Sequence, residues 1–125
     1  MSKTKGITVE EYLMQVRNID LRISSLESER AAARRERDTE YAEKLRGIID
    51  ADLKRYKELK LRIREEILHL PDSRLSMLLM EYYIRGNTWE MVAAAINISD
   101  AKWVRTRLHE KALKLFVATY PKYFI

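Results

Sequence analysis

From Tyr12 onward, apolar residues return every three or four positions. Tyr12, Val16, Ile19, Ile23 and Leu26 form one seam, and Ala33 keeps its phase beyond an interruption at Arg30. Alternating fours and threes mark a helix that packs lengthwise on another helix. Thr8, with Glu11 three residues on, is a capping box that opens it. A second face runs through Leu45, Ile49, Leu53, Tyr56, Ile63, Ile67 and Leu70. Lys60 takes one inward slot and can extend its ammonium to water. Between the two faces, DTEYAEK (38–44) has no Pro or Gly before Gly47. A turn between about residues 34 and 42, with Asp38 or Thr39 as the next cap, is preferred to one continuous helix. The two stripes then bury on each other in a hairpin, or pair with a second copy of the chain.

Pro71 stops the second helix, and Asp72 or Ser73 can cap a third. Leu75, Leu78, Leu79, Tyr82 and Tyr83 give that helix a broad apolar face, and Gly86 suits the positive-φ position that ends it. The stretch NTWEMVAAAINISDAKWVRTRLHEKALKL (87–115) then reads as two helices around a short turn. Asn87 is the expected N-cap of the first, in a capping box with Glu90. Trp89, Val92, Ala93 and Ile96 face inward, and Asn97-Ile98 makes the turn. Ser99 is the expected cap of the second helix, with Asp100 in its first turn, where the helix dipole favours an anion. Ala101, Val104, Leu108, Ala112 and Leu115 form its apolar stripe. Lys102, Trp103, Arg105, Thr106, Arg107, His109 and Lys111 are the candidate contact residues beside that stripe. A basic amphipathic helix after a short turn outlines a helix-turn-helix, whose second helix enters the DNA major groove. The same outline fits an αα-hairpin with a basic surface.

The resulting fold class is all-α, with two long N-terminal helices followed by a small helix-turn-helix bundle. Residues 1–70 are a helical arm, 71–118 the helix-turn-helix domain and 119–125 an aromatic tail. Tyr120, Tyr123, Phe124 and Ile125 of the tail are expected to pack on a groove or on a partner. Composition agrees with this reading: 34% of the residues are charged and 46% apolar, with 3 Gly and 2 Pro in 125 residues. Residues 1–7 read as a frayed basic leader without the apolar segment of a signal peptide. No apolar run approaches the ~20 residues that span a bilayer, so no membrane partner is expected. The absence of cysteine excludes disulfides and thiolate metal sites and suits a reducing cytoplasm.

Net charge is +5, compatible with a polyanionic partner. Most of the excess lies between Ser99 and Lys114. There Lys102, Arg105, Arg107, Lys111 and Lys114 outnumber Asp100 and Glu110. His69 and His109 are the only histidines, and neither has ligand spacing to a second donor, so no metal is expected. His69 reads as a helix-end residue. His109 either approaches a phosphate or packs inside the hairpin. Asp50 and Asp52 read as carboxylates on solvated faces. No phosphate loop or nucleophile elbow occurs, so neither an enzyme nor a cofactor is expected.

The segment Leu78–Leu113, through LLMEYYIRGNTWEMVAAAINIS and VRTRLHEKAL, resembles the region-4 helix-turn-helix of bacterial sigma factors. Thr88-Trp89-Glu90 with Val92-Ala93 stands at its opening helix, and Val104, Leu108, His109, Ala112 and Leu113 at its closing helix. The distance from Ser99 to Val104 is one residue longer than in many such modules. Upstream, EEYLMQVRNIDLRISSLESE and LKLRIREEILHLPDSR are similar to a family of phage- and prophage-encoded transcriptional regulators, the ArpU/RinA-like late regulators. The resemblance implies a sequence-specific activator of late phage genes acting on double-stranded DNA in the host cytoplasm. Host RNA polymerase is a further candidate partner, and a homodimer the favoured assembly. In that reading Lys102, Arg105, Arg107 and Lys111 contact phosphates or guanine. Trp103 and Thr106 meet thymine methyls, although Trp103 can equally close the local core. Backbone amides at Ser99 and Asp100 hold a phosphate, or Asp100 accepts from cytosine. A polymerase-binding protein that makes no DNA contact, or a small-terminase-like DNA-packaging component, are the alternatives.

Overall fold

The computed structural model describes residues 7–124, and every regular element among them is helical. The first two helices are long: α1 spans Val9–Arg35 and α2 spans Thr39–Leu68. The capping box forms as expected. Thr8 Oγ1 accepts from Glu11 N–H at 3.0 Å, and Glu11 Oε1 accepts from Thr8 N–H at 2.8 Å. Of the leader read at residues 1–7, only Ile7 lies within the described residues.

α1 ends in a three-residue turn, Glu36-Arg37-Asp38, inside the expected window. Arg37 takes φ 61. Its N–H donates to Arg34 O at 3.1 Å, and Asp38 N–H donates to Ala33 O at 2.9 Å. This is the paired-bond ending usually built on glycine, here with arginine in the left-handed position. Asp38 then caps α2, accepting from Tyr41 N–H at 3.1 Å. The two stripes therefore meet within one chain. Val16, Ile19 and Ile23 of α1 are buried with Ile49, Ile63 and Ile67 of α2, and Leu13 and Leu59 join them from outside the predicted seams. Asp52 departs from its expected solvated position. It is buried, and Arg22 Nε meets its Oδ2 at 2.5 Å across the hairpin.

His69 caps the end of α2, its Nδ1–H donating to Glu65 O at 2.6 Å. Past Pro71, Asp72 caps α3 (Ser73–Leu79), which continues as one π-helical stretch, Met80–Ile84. Gly86 breaks the rod at φ 70. α4 (Trp89–Ala95) follows. After a turn at Asn97 (φ 63) comes a second rod: α5 (Ala101–Trp103), a π-helical stretch (Val104–Leu108) and α6 (His109–Thr119). A short 3-10 turn, Pro121–Phe124, completes the described chain.

The π stretches shift the predicted apolar register. A turn closed by an i→i+5 bond holds one residue more than an α turn, so everything downstream rotates by one position. The expected Tyr82 and Tyr83 become Tyr83 and Ile84 as buried residues, and Leu115 gives way to Leu113 and Phe116. Tyr82 and Leu115 are half-buried.

α3, α4 and the second rod pack on the open end of the α1–α2 hairpin. One continuous core joins Leu13 and Val16 of α1, Ile63 and Ile67 of α2, Leu78 and Leu79 of α3, Val92, Val104 and Phe116. The tail closes this junction. Tyr12 and Tyr123 hydroxyls donate to the two carboxylate oxygens of Glu66, each at 2.6 Å, and the Tyr120 hydroxyl donates to the Glu66 carbonyl at 2.7 Å. Phe124 meets Tyr12 edge-on at 5.7 Å. Ile125 lies outside the described residues.

Two outcomes test this fold. Arg37→Gly should raise stability, by up to about 1 kcal/mol, because glycine takes the left-handed conformation without a Cβ penalty; a lowered urea midpoint would contradict the strain. Burial, then the hydrogen bond to Glu66, holds the Tyr12 hydroxyl well above its ordinary 10.0. The unfolded chain therefore releases this proton first, and stability present below pH 10 is lost above it. Urea midpoints at about pH 9 and about pH 11 should differ less in Tyr12→Phe than in the parent chain.

Candidate nucleic-acid interface

The interface is built from Thr88 to Lys111. Thr88 caps α4, its Oγ1 accepting from Met91 N–H at 3.3 Å. Asn87, the expected cap, is held elsewhere. Its Nδ2 donates to Glu81 Oε1 at 2.5 Å and its N–H to Glu81 O at 3.0 Å. Glu81 is buried and also pairs with Arg85, so Asn87 completes the hydrogen bonding of a carboxylate that cannot reach water. α4 ends as α1 does, with Asn97 N–H donating to Ala94 O and Ile98 N–H to Ala93 O. The asparagine tolerates the positive φ, as expected.

Asp100, not Ser99, caps the second rod. Its backbone is extended, and its carboxylate accepts from Trp103 N–H at 3.1 Å. Ser99 stands one residue outside the helix, exposed. Counting from Asp100 removes the extra residue before Val104. The helix start is thus covered by a side-chain carboxylate, which repels a phosphate there and withdraws the expectation that the Ser99 and Asp100 amides hold one.

Along the rod, Val104, Leu108 and Ala112 are buried, while Lys102, Trp103, Arg105, Thr106, Arg107 and Lys111 are exposed. Trp103 is 46% exposed and so does not close the local core. Trp103, Arg107 and Lys111 recur at four-residue spacing, with Lys102 and Thr106 in the next row. Thr106 Oγ1 donates back to Lys102 O at 2.8 Å inside the π stretch. Among the described residues, none of Lys102, Arg105, Arg107 or Lys111 has a carboxylate within ion-pair distance, whereas Lys114 reaches Glu110 at 3.8 Å. Four cations on one short helical segment therefore meet solvent unneutralised.

His109 is turned away from that surface. The Tyr83 hydroxyl donates to its Nε2 at 2.6 Å, and Trp89 lies against the ring with centroids 4.8 Å apart. Trp89 in turn stacks on Tyr82 at 4.0 Å, with Arg17 of α1 over the other partner of that stack. Burial lowers the His109 pKa below 6.5, the charge of Glu10 partly opposing it. Of its two expected roles, the structure gives His109 the one inside the hairpin: it sets the helix against α3 and α4.

Three buried carboxylates escaped the sequence reading. Glu66 carried a signal: an acid near the C-terminal end of a helix opposes the dipole, and it sits between Ile63 and Ile67 in the chain. Asp52 and Glu81 become legible only through partners 30 residues away or beyond a helix end. Among the described residues no cluster of His, Asp or Glu could hold a metal ion, and no helix is long and apolar enough to cross a membrane. No protein-family model matches this chain, and no curated protein or solved structure is significantly similar to it.

The neutral histidine predicts an acid-sensitive packing. Below pH 6.5 the unfolded chain binds a proton that folded His109 refuses, so stability present above 6.5 is lost as pH falls through the folded value. His109→Gln, which keeps an acceptor for Tyr83, should lose less stability than the parent chain between about pH 7.5 and pH 5.5. Equal losses in urea titrations would assign the acid sensitivity elsewhere.

Proposed function

We propose that this chain is a sequence-specific double-stranded DNA-binding protein that uses the rod from Asp100 to Lys111 to read the major groove. The observation that carries the reading is the exposed, unpaired set of Lys102, Arg105, Arg107 and Lys111 on a helix that follows a short turn. A B-DNA major groove admits one α-helix, and arginines on it bond bidentately to guanine or neutralise phosphates. Trp103 and Thr106 add apolar surface beside these cations, suited to a thymine methyl. The resemblance to sigma region 4 and to the ArpU/RinA-like regulators extends the proposal to transcriptional control of phage genes. In that setting the α1–α2 arm carries contacts to a second copy or to host RNA polymerase.

Replacing Arg105 and Arg107 with Ala should weaken binding to duplexes selected from a random pool while leaving helicity unchanged. The log–log salt slope should also fall by about 0.9 for each phosphate contact removed. Unchanged affinity in the double variant would remove this surface from the interface.

A further inference from the structure

We propose that the groove between the end of α2 and α3 docks an acidic amphipathic helix from another protein. The groove has a volume of about 440 Å³, with buried Leu70 and Met80 at its floor and Leu68 and Met77 on its rim. Leu68 is 47% exposed and Met77 42%. Leu61, one heptad before Leu68 on the same face of α2, is 61% exposed and prolongs the apolar line by about 10 Å. That length exceeds what one side chain fills and matches the anchors that a helix presents at i, i+3, i+4 and i+7. Methionine at floor and rim lets the walls adjust to the side chains that enter.

Charge selects the partner. Arg64 and Arg85 line the groove and no carboxylate does. Arg64 has only a 3.5 Å contact with its exposed neighbour Glu65, and the Glu81 that neutralises Arg85 is buried. An apolar floor under a cationic rim complements an apolar stripe flanked by acids. A two-fold pairing of this face with itself would set arginine against arginine. None of these residues belongs to the Ser99–Lys111 surface, so the proposal does not depend on DNA binding.

The test uses the full chain, without DNA, and two fluorescein-labelled synthetic helical peptides. Both carry leucines at i, i+4 and i+7; one is flanked by glutamates, the other by lysines. Anisotropy should show the acidic peptide binding about tenfold or more tightly than the basic one, and Leu68→Glu should reduce its affinity by a similar factor. Arg64→Glu should weaken the acidic peptide and strengthen the basic one. Both positions are exposed, and circular dichroism checks that the variants stay folded. Absence of binding, equal binding of the two peptides, or an unaffected Leu68→Glu variant would overturn the proposal. So would a dimer by light scattering that Leu68→Glu converts to monomer, because a second copy would then occupy the groove.

Discussion

The burial of the Glu66 carboxylate is the constraint on which the junction of this molecule depends. A charged group out of water is tolerated only when its acceptor sites are filled. Here the donors come from separate parts of the chain: Tyr12 from α1, and Tyr123 from the tail that follows α6. Tyr120 adds a bond to the carbonyl of the same residue. Hydroxyl donors to a carboxylate make short, strong bonds. Closing the hairpin and seating the tail are therefore conditional on one side chain. Phe116 lies fully buried beside this node, its ring near those of Tyr12 and Tyr120, so the C-terminal end of α6 is held against the arm.

Farther toward its start, the same rod is held by different chemistry. His109, Tyr83, Trp89 and Tyr82 form an aromatic cluster closed by a phenol-to-imidazole hydrogen bond. His109 directly follows the π stretch of its rod, and Tyr83 lies within the other. The two irregular turns thus sit at one contact. Each moves the following residues by one position, which brings Tyr83 inward in one rod and Phe116 inward in the other. The Glu66 node and the aromatic cluster together orient the exposed side of the helix relative to the arm.

Charge is sorted by sign between interior and surface. Among the described residues the buried charged side chains are Asp52, Glu66 and Glu81. Arg22, Arg85, Asn87 and the tyrosines meet them. The fold consumes acids inside and leaves Lys102, Arg105, Arg107 and Lys111 without partners outside. A modest net charge of +5 is thereby concentrated on one helix, and a second cationic rim, at Arg64 and Arg85, frames an apolar groove.

The sequence by itself determined the helices, their order and most of their ends. Period and capping chemistry are local, so Thr8-Glu11, Asp38, Pro71, Gly86 and Asn97 could be read directly. The exposure of Lys102, Arg105 and Arg107 was legible too, because it needs only the phase of the first turns. Tertiary structure decided the rest. That the α1 and α2 stripes meet within one chain depends on a left-handed Arg37, a conformation arginine does not advertise. The caps moved by one residue, to Thr88 and Asp100, because Asn87 answers a buried carboxylate six residues back and Asp100 takes the extended backbone ahead of Trp103. The apolar register after Met80 and Val104 moved by one because π turns are not encoded in a 3.6-residue period. His109 turned inward because the hydroxyl that receives it lies on another helix, 26 positions earlier. Local pattern can give a residue a face of its own helix; only packing supplies the partner that faces it.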